Sequence, residues 1–208
     1  MKNRKRIFAA LLMLSAGPLA IAGTSTNTLG EKITRKGTGD VPACAICHGD
    51  HGEGNIKAGY PRLAGMNAEY LDQQMTLYAQ DERKNRIMQE YAQKLSIAER
   101  RAVSDYYANQ TAHSSHIDLQ TLLPQAAKLL QVGAPNRGIP SCFSCHGDNG
   151  QGNKDGIAPI AGQPAIYFIH QMNAWRFDER PVTEGNPMAV IAKTLTLKEI
   201  ALLAHALQ

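Results

Sequence analysis

The chain has 208 residues, 43% of them hydrophobic and only 6% aromatic, with 22 basic against 18 acidic residues. Four of the basic residues and none of the acidic ones fall in residues 1–22, so the remainder carries 18 of each sign. That balance lacks the clustered basic surplus of a nucleic-acid-binding surface and argues against such a partner.

Residues 1–6, MKNRKR, are strongly basic, and residues 7–22, IFAALLMLSAGPLAIA, are apolar and broken by Gly17 and Pro18. Ala20-Ile21-Ala22 then supplies a small-x-small cleavage pattern. The order is that of a secretory signal peptide over residues 1–22, and the apolar run is short for an uncleaved membrane anchor. The expected product is a soluble, exported, periplasmic chain. Its roughly 186 residues suffice for one or two domains. Two half-size domains with so few aromatics need a staple: a disulfide, a metal or a large cofactor.

Helical stretches are expected over Leu29–Lys36, Glu69–Gln80, Pro124–Val132 and Ile166–Phe177. Ser96 with Glu99 forms a capping-box pattern opening a helix through Gln110, and Thr196 with Glu199 repeats it before the C-terminus. No run alternates over strand length, so the fold class is all-α. The polar stretch TAHSSHIDLQ, residues 111–120, reads as a connection.

The chain is duplicated. CAICHGDHGEGN, residues 44–55, matches CFSCHGDNGQGN, residues 142–153. Placing Cys44 on Cys142 pairs Cys47 with Cys145, His48 with His146, and Pro61 with Pro159. After one deletion, Ala64-Gly65 meets Ala161-Gly162, Tyr70 meets Tyr167, Gln74-Met75 meets Gln171-Met172, and Asp81-Glu82-Arg83 meets Asp178-Glu179-Arg180. After a three-residue insertion, Met88 meets Met188 and Leu95 meets Leu195. A period near 100 residues marks duplicated domains rather than solenoid units. The expected division is a first domain over 23–112, a linker over 113–120 and a second domain over 121–208.

The four cysteines admit three chemistries. A disulfide within each C-x-x-C suits an oxidising compartment but explains neither the adjacent histidine nor the glycine-rich tail. A zinc site would need the two pairs brought together, yet 94 residues separate Cys47 from Cys142. C-x-x-C-H is the attachment pattern of a c-type haem: the thiols bond the vinyl groups and the histidine follows under the iron. Two copies behind a signal peptide, using every cysteine, point to two covalently bound haem c groups on Cys44, Cys47, Cys142 and Cys145, with His48 and His146 on the irons.

The sixth ligand has two repeated candidates. Met75 and Met172 lie mid-helix on an apolar stripe, where methionine commonly fills core. Met88 and Met188 follow the polar or proline-containing loops NRIM and GNPM, 40 and 42 residues beyond His48 and His146, and are the favoured pair. His51, His113, His116, His170 and His205 have no repeated counterpart and read as solvated or packing residues. The glycines after each motif suit backbone lying close to the haem. Pro61 and Pro159 are positioned to present carbonyls to the second nitrogen of each ligand histidine.

These residues resemble the class I c-type cytochromes, and the duplicated plan is similar to dihaem cytochrome c4. The resemblance covers nearly all of the chain after residue 22: C-x-x-C-H-G-x-x-G-x-G in both halves, then PRLAG and PIAGQ, a Y…Q…Y/W helix, an arginine-containing loop and a methionine. It implies two tandem haem domains related by a pseudo-twofold axis, with His48 and Met88 on one iron and His146 and Met188 on the other. It also implies periplasmic electron transfer, typically from a quinol–cytochrome c reductase to a terminal oxidase, by a carrier rather than an enzyme. The first loop, DERKNRIM, departs from the family in lacking a proline before its methionine. A dihaem electron-transfer subunit of a periplasmic dehydrogenase, such as flavocytochrome c sulfide dehydrogenase, is the alternative. A peroxidase-like protein would need an open iron position, which the repeated methionines oppose. Redox proteins are the expected partners, and peripheral docking on the membrane stays open.

Overall fold

The computed structural model describes residues 25–112, 117–153, 155–182 and 185–208. The signal segment 1–22, His113 and His116 lie outside the described residues. The first half contains α1 (Ser25–Lys36), α2 (Ala45–His48), α3 (Ala68–Ala79), α4 (Arg86–Lys94) and α5 (Ile97–Ala108). The second contains α6 (Pro124–Gln131), α7 (Phe143–His146), α8 (Ala165–Arg176), α9 (Met188–Thr194) and α10 (Leu197–Leu207), with a 3-10 turn at Pro135–Arg137. Among the described residues there is no strand, only isolated bridges. The all-α expectation holds.

Local chemistry explains the helix boundaries. Ser96 and Thr196 each accept from the amide three residues on, at Glu99 and Glu199, whose carboxylates reach back to the cap amides. Each exchange satisfies two orphan donors of a first helical turn. Asn67 caps α3 by accepting from the Tyr70 amide, and Pro124 opens α6, where a missing N–H costs nothing.

Each half packs its first long helix against its last: α1 on α5, and α6 on α10. The first crossing is close because position 30 lacks a side chain; a Cβ on Gly30 would stand 2.1 Å from the Ala102 carbonyl oxygen. In the second crossing Ala126 and Ala204 are both buried. Two apolar cores result. One gathers Ile33, Leu71, Leu95, Val103, Tyr106 and Tyr107; the other gathers Leu130, Ile139, Met172, Trp175, Ile200 and Leu203. Ile117 belongs to the second core, and Leu119 and Leu122 pack against it.

The halves meet along a seam with reciprocal contacts. Helices α3 and α8 end in the same way: Asp81 (φ 60°) and Asp178 (φ 57°) take the left-handed conformation that Asp tolerates better than most residues. The amides of Arg83 and Arg180 then donate back to Leu77 and Ala174. This turn sends both arginine side chains into the seam. Arg83 donates to Gln74 of its own half (2.8 Å) and to Tyr167 (3.1 Å) and Gln171 of the other. Arg180 donates to Gln171 of its own half (3.1 Å) and to Tyr70 (3.0 Å) and Gln74 (3.1 Å) of the other. Exchanging the halves turns one set into the other, the signature of a pseudo-twofold relation between two tandem domains.

Candidate functional site

Each cysteine motif folds as one helical turn, α2 or α7. The His48 and His146 amides donate to the Cys44 and Cys142 carbonyls, both at 3.0 Å. That turn places the first thiol, the second thiol and the imidazole on one short stretch of backbone. No two of the four cysteines are joined in a disulfide. Burial pushes the Cys44 and Cys142 thiols up to about 11, so both stay neutral near pH 7. Among the described residues, no three of His, Cys, Asp and Glu converge as a metal cluster would.

The histidines are held by carbonyls. His48 Nδ1 lies 3.0 Å from the Pro61 carbonyl oxygen, and His146 Nδ1 lies 2.7 Å from that of Ala158. Each carbonyl fixes the tautomer that leaves Nε2 without a proton, the form an iron needs. Burial lowers both pKa values and the carbonyls offset part of it, which favours the neutral ring.

The Ala158 contact corrects the expectation that Pro159 orients His146. The amides of Leu63 and Ala64 both donate to the Gly52 carbonyl, and those of Ile160 and Ala161 to that of Gly150. Arg62 therefore corresponds to Pro159, and Pro61 to Ala158. The missing residue lies earlier, where the Asn55 amide reaches Tyr60 but the Asn153 amide reaches only Ile157. The glycines explain how these loops close. Gly54 and Gly152 have φ of 79° and 77°, and a Cβ on either would lie 2.7 Å or less from the chain at Arg62 or Ile157. They let the loop fold onto the segment that carries the orienting carbonyl.

Sequence reasoning set Met88 and Met188 after loops; the structure places them in the first turns of α4 and α9. Both backbone amides are caught by a preceding asparagine: Met88 by Asn85 Oδ1 at 3.0 Å, Met188 by Asn186 Oδ1 at 2.9 Å. Both side chains are half-buried. Met172, by contrast, is 2% exposed inside the second core, and half-buried Met75 packs against the first. His51 is exposed with its ring on Gln110, and His170 and His205 are exposed.

Half-buried apolar side chains pack against each core, among them Cys44, Leu63, Met75 and Tyr91 in one half and Cys142, Ile160, Met188 and Ile191 in the other. Polar atoms near the seam add a second test. Trp175 Nε1 and Arg62 Nε are buried without a hydrogen-bond partner. Arg62, Arg83 and Arg180 are 7%, 4% and 7% exposed, and among the described residues none forms an ion pair. Burying unpaired guanidiniums costs several kcal/mol each, which asks for a nearby anion. An apolar macrocycle carrying carboxylates meets both demands, so the residues present fit a haem.

Two motif turns with carbonyl-oriented histidines, in two helical domains packed through reciprocal contacts, define a dihaem c-type cytochrome. Comparison with known proteins agrees. No family model matches the chain. It is 35% identical over 180 residues to the thiosulfate dehydrogenase electron acceptor of Stutzerimonas stutzeri (strain A1501), covering 85% of this chain and 83% of that protein. It is 31% identical over 185 residues to cytochrome c4 of Stutzerimonas stutzeri, covering 83% and 86%. Reduced recombinant cytochrome c4 from Pseudomonas stutzeri superposes with a TM-score of 0.74 at 26% identity, over 88% of this chain and 97% of that one. Thiosulfate dehydrogenase (TsdBA) from Marichromatium purpuratum, in its as-isolated form, gives 0.79 at 30% identity over 87% of this chain. This chain spans about two-fifths of that longer protein. The chain belongs to the dihaem cytochrome c4 family. It carries two covalently attached haem c groups and acts as an electron carrier.

Proposed function

We propose that the chain is a periplasmic shuttle that accepts electrons from a dehydrogenase and passes them to an acceptor further along a respiratory chain. In this reading His48 and Met88 bind one iron, and His146 and Met188 the other, with Cys44, Cys47, Cys142 and Cys145 holding the porphyrins. The observation that supports it is the repetition, in each half, of a carbonyl-held histidine and, 40 or 42 residues on, a methionine whose amide is pinned by an asparagine. A haem bound there supplies a one-electron ferric–ferrous couple. The protein's own part is to hold ligands in place through the redox change, exclude water from the iron and set the potential.

The donor we favour is a thiosulfate-oxidising dehydrogenase, supported by the name of the Stutzerimonas stutzeri acceptor and by the fold shared with TsdBA. The second reading, transfer from a quinol–cytochrome c reductase to a terminal oxidase, is supported by the likeness to cytochrome c4. Stopped-flow mixing of the oxidised protein with each purified donor separates them. Rapid reduction that requires both thiosulfate and its dehydrogenase is expected. Reduction by the quinol-linked reductase alone would transfer the assignment to the second reading.

A further inference from the structure

We propose that Arg83 and Arg180 act as one shared cationic centre that sets the potentials of both haems together, each arginine acting across the seam as well as within its own half. The proposal rests on the two attached haems and deepens the carrier reading. Gln74 Oε1 accepts from both guanidiniums, and so does Gln171 Oε1. Two like charges bound to the same pair of oxygens lie side by side. Each also stacks on an aromatic ring of its own half, Arg83 over Tyr78 at 4.7 Å and Arg180 over Trp175 at 4.0 Å. Neither has a carboxylate partner among the described residues.

Hydrogen bonds to neutral acceptors compensate a buried charge only in part, so the pair keeps a net positive field that the carboxylates of a bound haem would complement. Its electrostatic effect is directional. A buried cation opposes the extra positive charge of a ferric site and so favours the reduced state. In a medium of effective dielectric about 20, one unit charge changes an equilibrium by roughly tenfold at separations of about 10 Å. Because each glutamine oxygen ties both guanidiniums, neither can be moved or neutralised without re-aiming the other. The centre therefore belongs to the seam rather than to either domain.

The test is a spectroelectrochemical titration of the holoprotein that resolves both haems, on four variants. Gln171→Glu is isosteric and places a carboxylate against both guanidiniums without emptying the seam. It is expected to lower both midpoint potentials, each reduction equilibrium falling on the order of tenfold, or about 59 mV for a one-electron couple. Arg83→Gln and Arg180→Gln are each expected to lower both potentials, while Arg83→Lys, which keeps the charge, leaves both near their starting values. A shift confined to one haem, or no shift in Gln171→Glu, overturns the proposal. Haem number and methionine ligation, read from pyridine haemochrome and near-infrared spectra of the same samples, test the carrier reading separately.

Discussion

The side-chain amide of Gln163 clasps the backbone of Arg62 from the opposite half of the chain. Its Oε1 accepts from the Arg62 amide at 3.0 Å and its Nε2 donates to the Arg62 carbonyl at 3.1 Å. The Arg62 guanidinium answers by donating to Ala64 of its own half and Ala161 of the other. Arg62 adjoins Pro61, whose carbonyl orients His48, so the second half grips the segment that positions His48. The reciprocal contact is missing: Met66, which aligns with Gln163, is buried in the first core.

Replacing Gln163 by leucine leaves two buried backbone groups without partners. Each unsatisfied group costs about 1–3 kcal/mol. The expected result is a lower unfolding temperature, together with a larger change in the potential of the first haem than of the second. Calorimetry and redox titration of the holoprotein check both parts, and an unchanged unfolding temperature would count against the clasp.

Met188→Ala is expected to leave the second haem attached, lower its potential and open its iron to carbon monoxide or imidazole. Met88→Ala should do the same at the first haem. Met172→Ala is the control: it should cost about 2–5 kcal/mol of stability by leaving a core cavity, with the sulfur–iron band intact. Loss of that band in Met172→Ala, and not in Met188→Ala, would exchange the two roles.

Asn85→Ala and Asn186→Ala remove the acceptors of the methionine amides. Asn85 is the N-cap of α4, and losing such a cap costs about 1 kcal/mol, whereas Asn186 precedes the α9 cap residue Pro187. The expected signature is faster binding of external ligands at the corresponding haem, with its midpoint potential little changed. Ligand-binding kinetics equal to those of the parent would show that the asparagines do not steady the methionines.

Much of this arrangement is legible in the sequence, for reasons that differ by element. The capping boxes at Ser96 and Thr196 announce their helices because the signal is local. The four-residue turns α2 and α7 carry no amphipathic period, and α4 and α9 begin inside polar loops, so their helical state is set by packing. The sequence makes Pro61 and Pro159 look equivalent and so points to Pro159 as the His146 partner; only the hydrogen bonds to Gly52 and Gly150 place the gap earlier and Ala158 in that role. Arg83 and Arg180 stand beside Asp-Glu pairs in what the sequence shows only as an arginine-containing loop. Their burial follows from pairing the two halves, which no single stretch of sequence encodes.

Acid should act more strongly on the second half. Glu199 is held down to about 2, first by the hydrogen bond from Arg137 and then by the Thr196 cap. Its ordinary value is near 4.5, so its stabilisation is fully present above that pH and is lost as pH falls toward about 2. Glu99, its counterpart, is also lowered, by the Ser96 cap and by Thr38, but has no arginine partner. Glu199→Gln should therefore cost about 1 kcal/mol at neutral pH, a difference that disappears by about pH 2. Urea unfolding followed across that range, with a Glu99→Gln comparison, measures it; a difference independent of pH would contradict the pairing.

The central claim is that each half holds its own haem between a histidine and a methionine. A potentiometric titration of the holoprotein with optical and electron paramagnetic detection tests it most directly. The expected result is two one-electron couples, both low-spin, each accompanied by a sulfur-to-iron band when oxidised, with the first lost on Met88→Ala and the second on Met188→Ala. A single couple, or a high-spin or bis-histidine iron in the untreated protein, would contradict it.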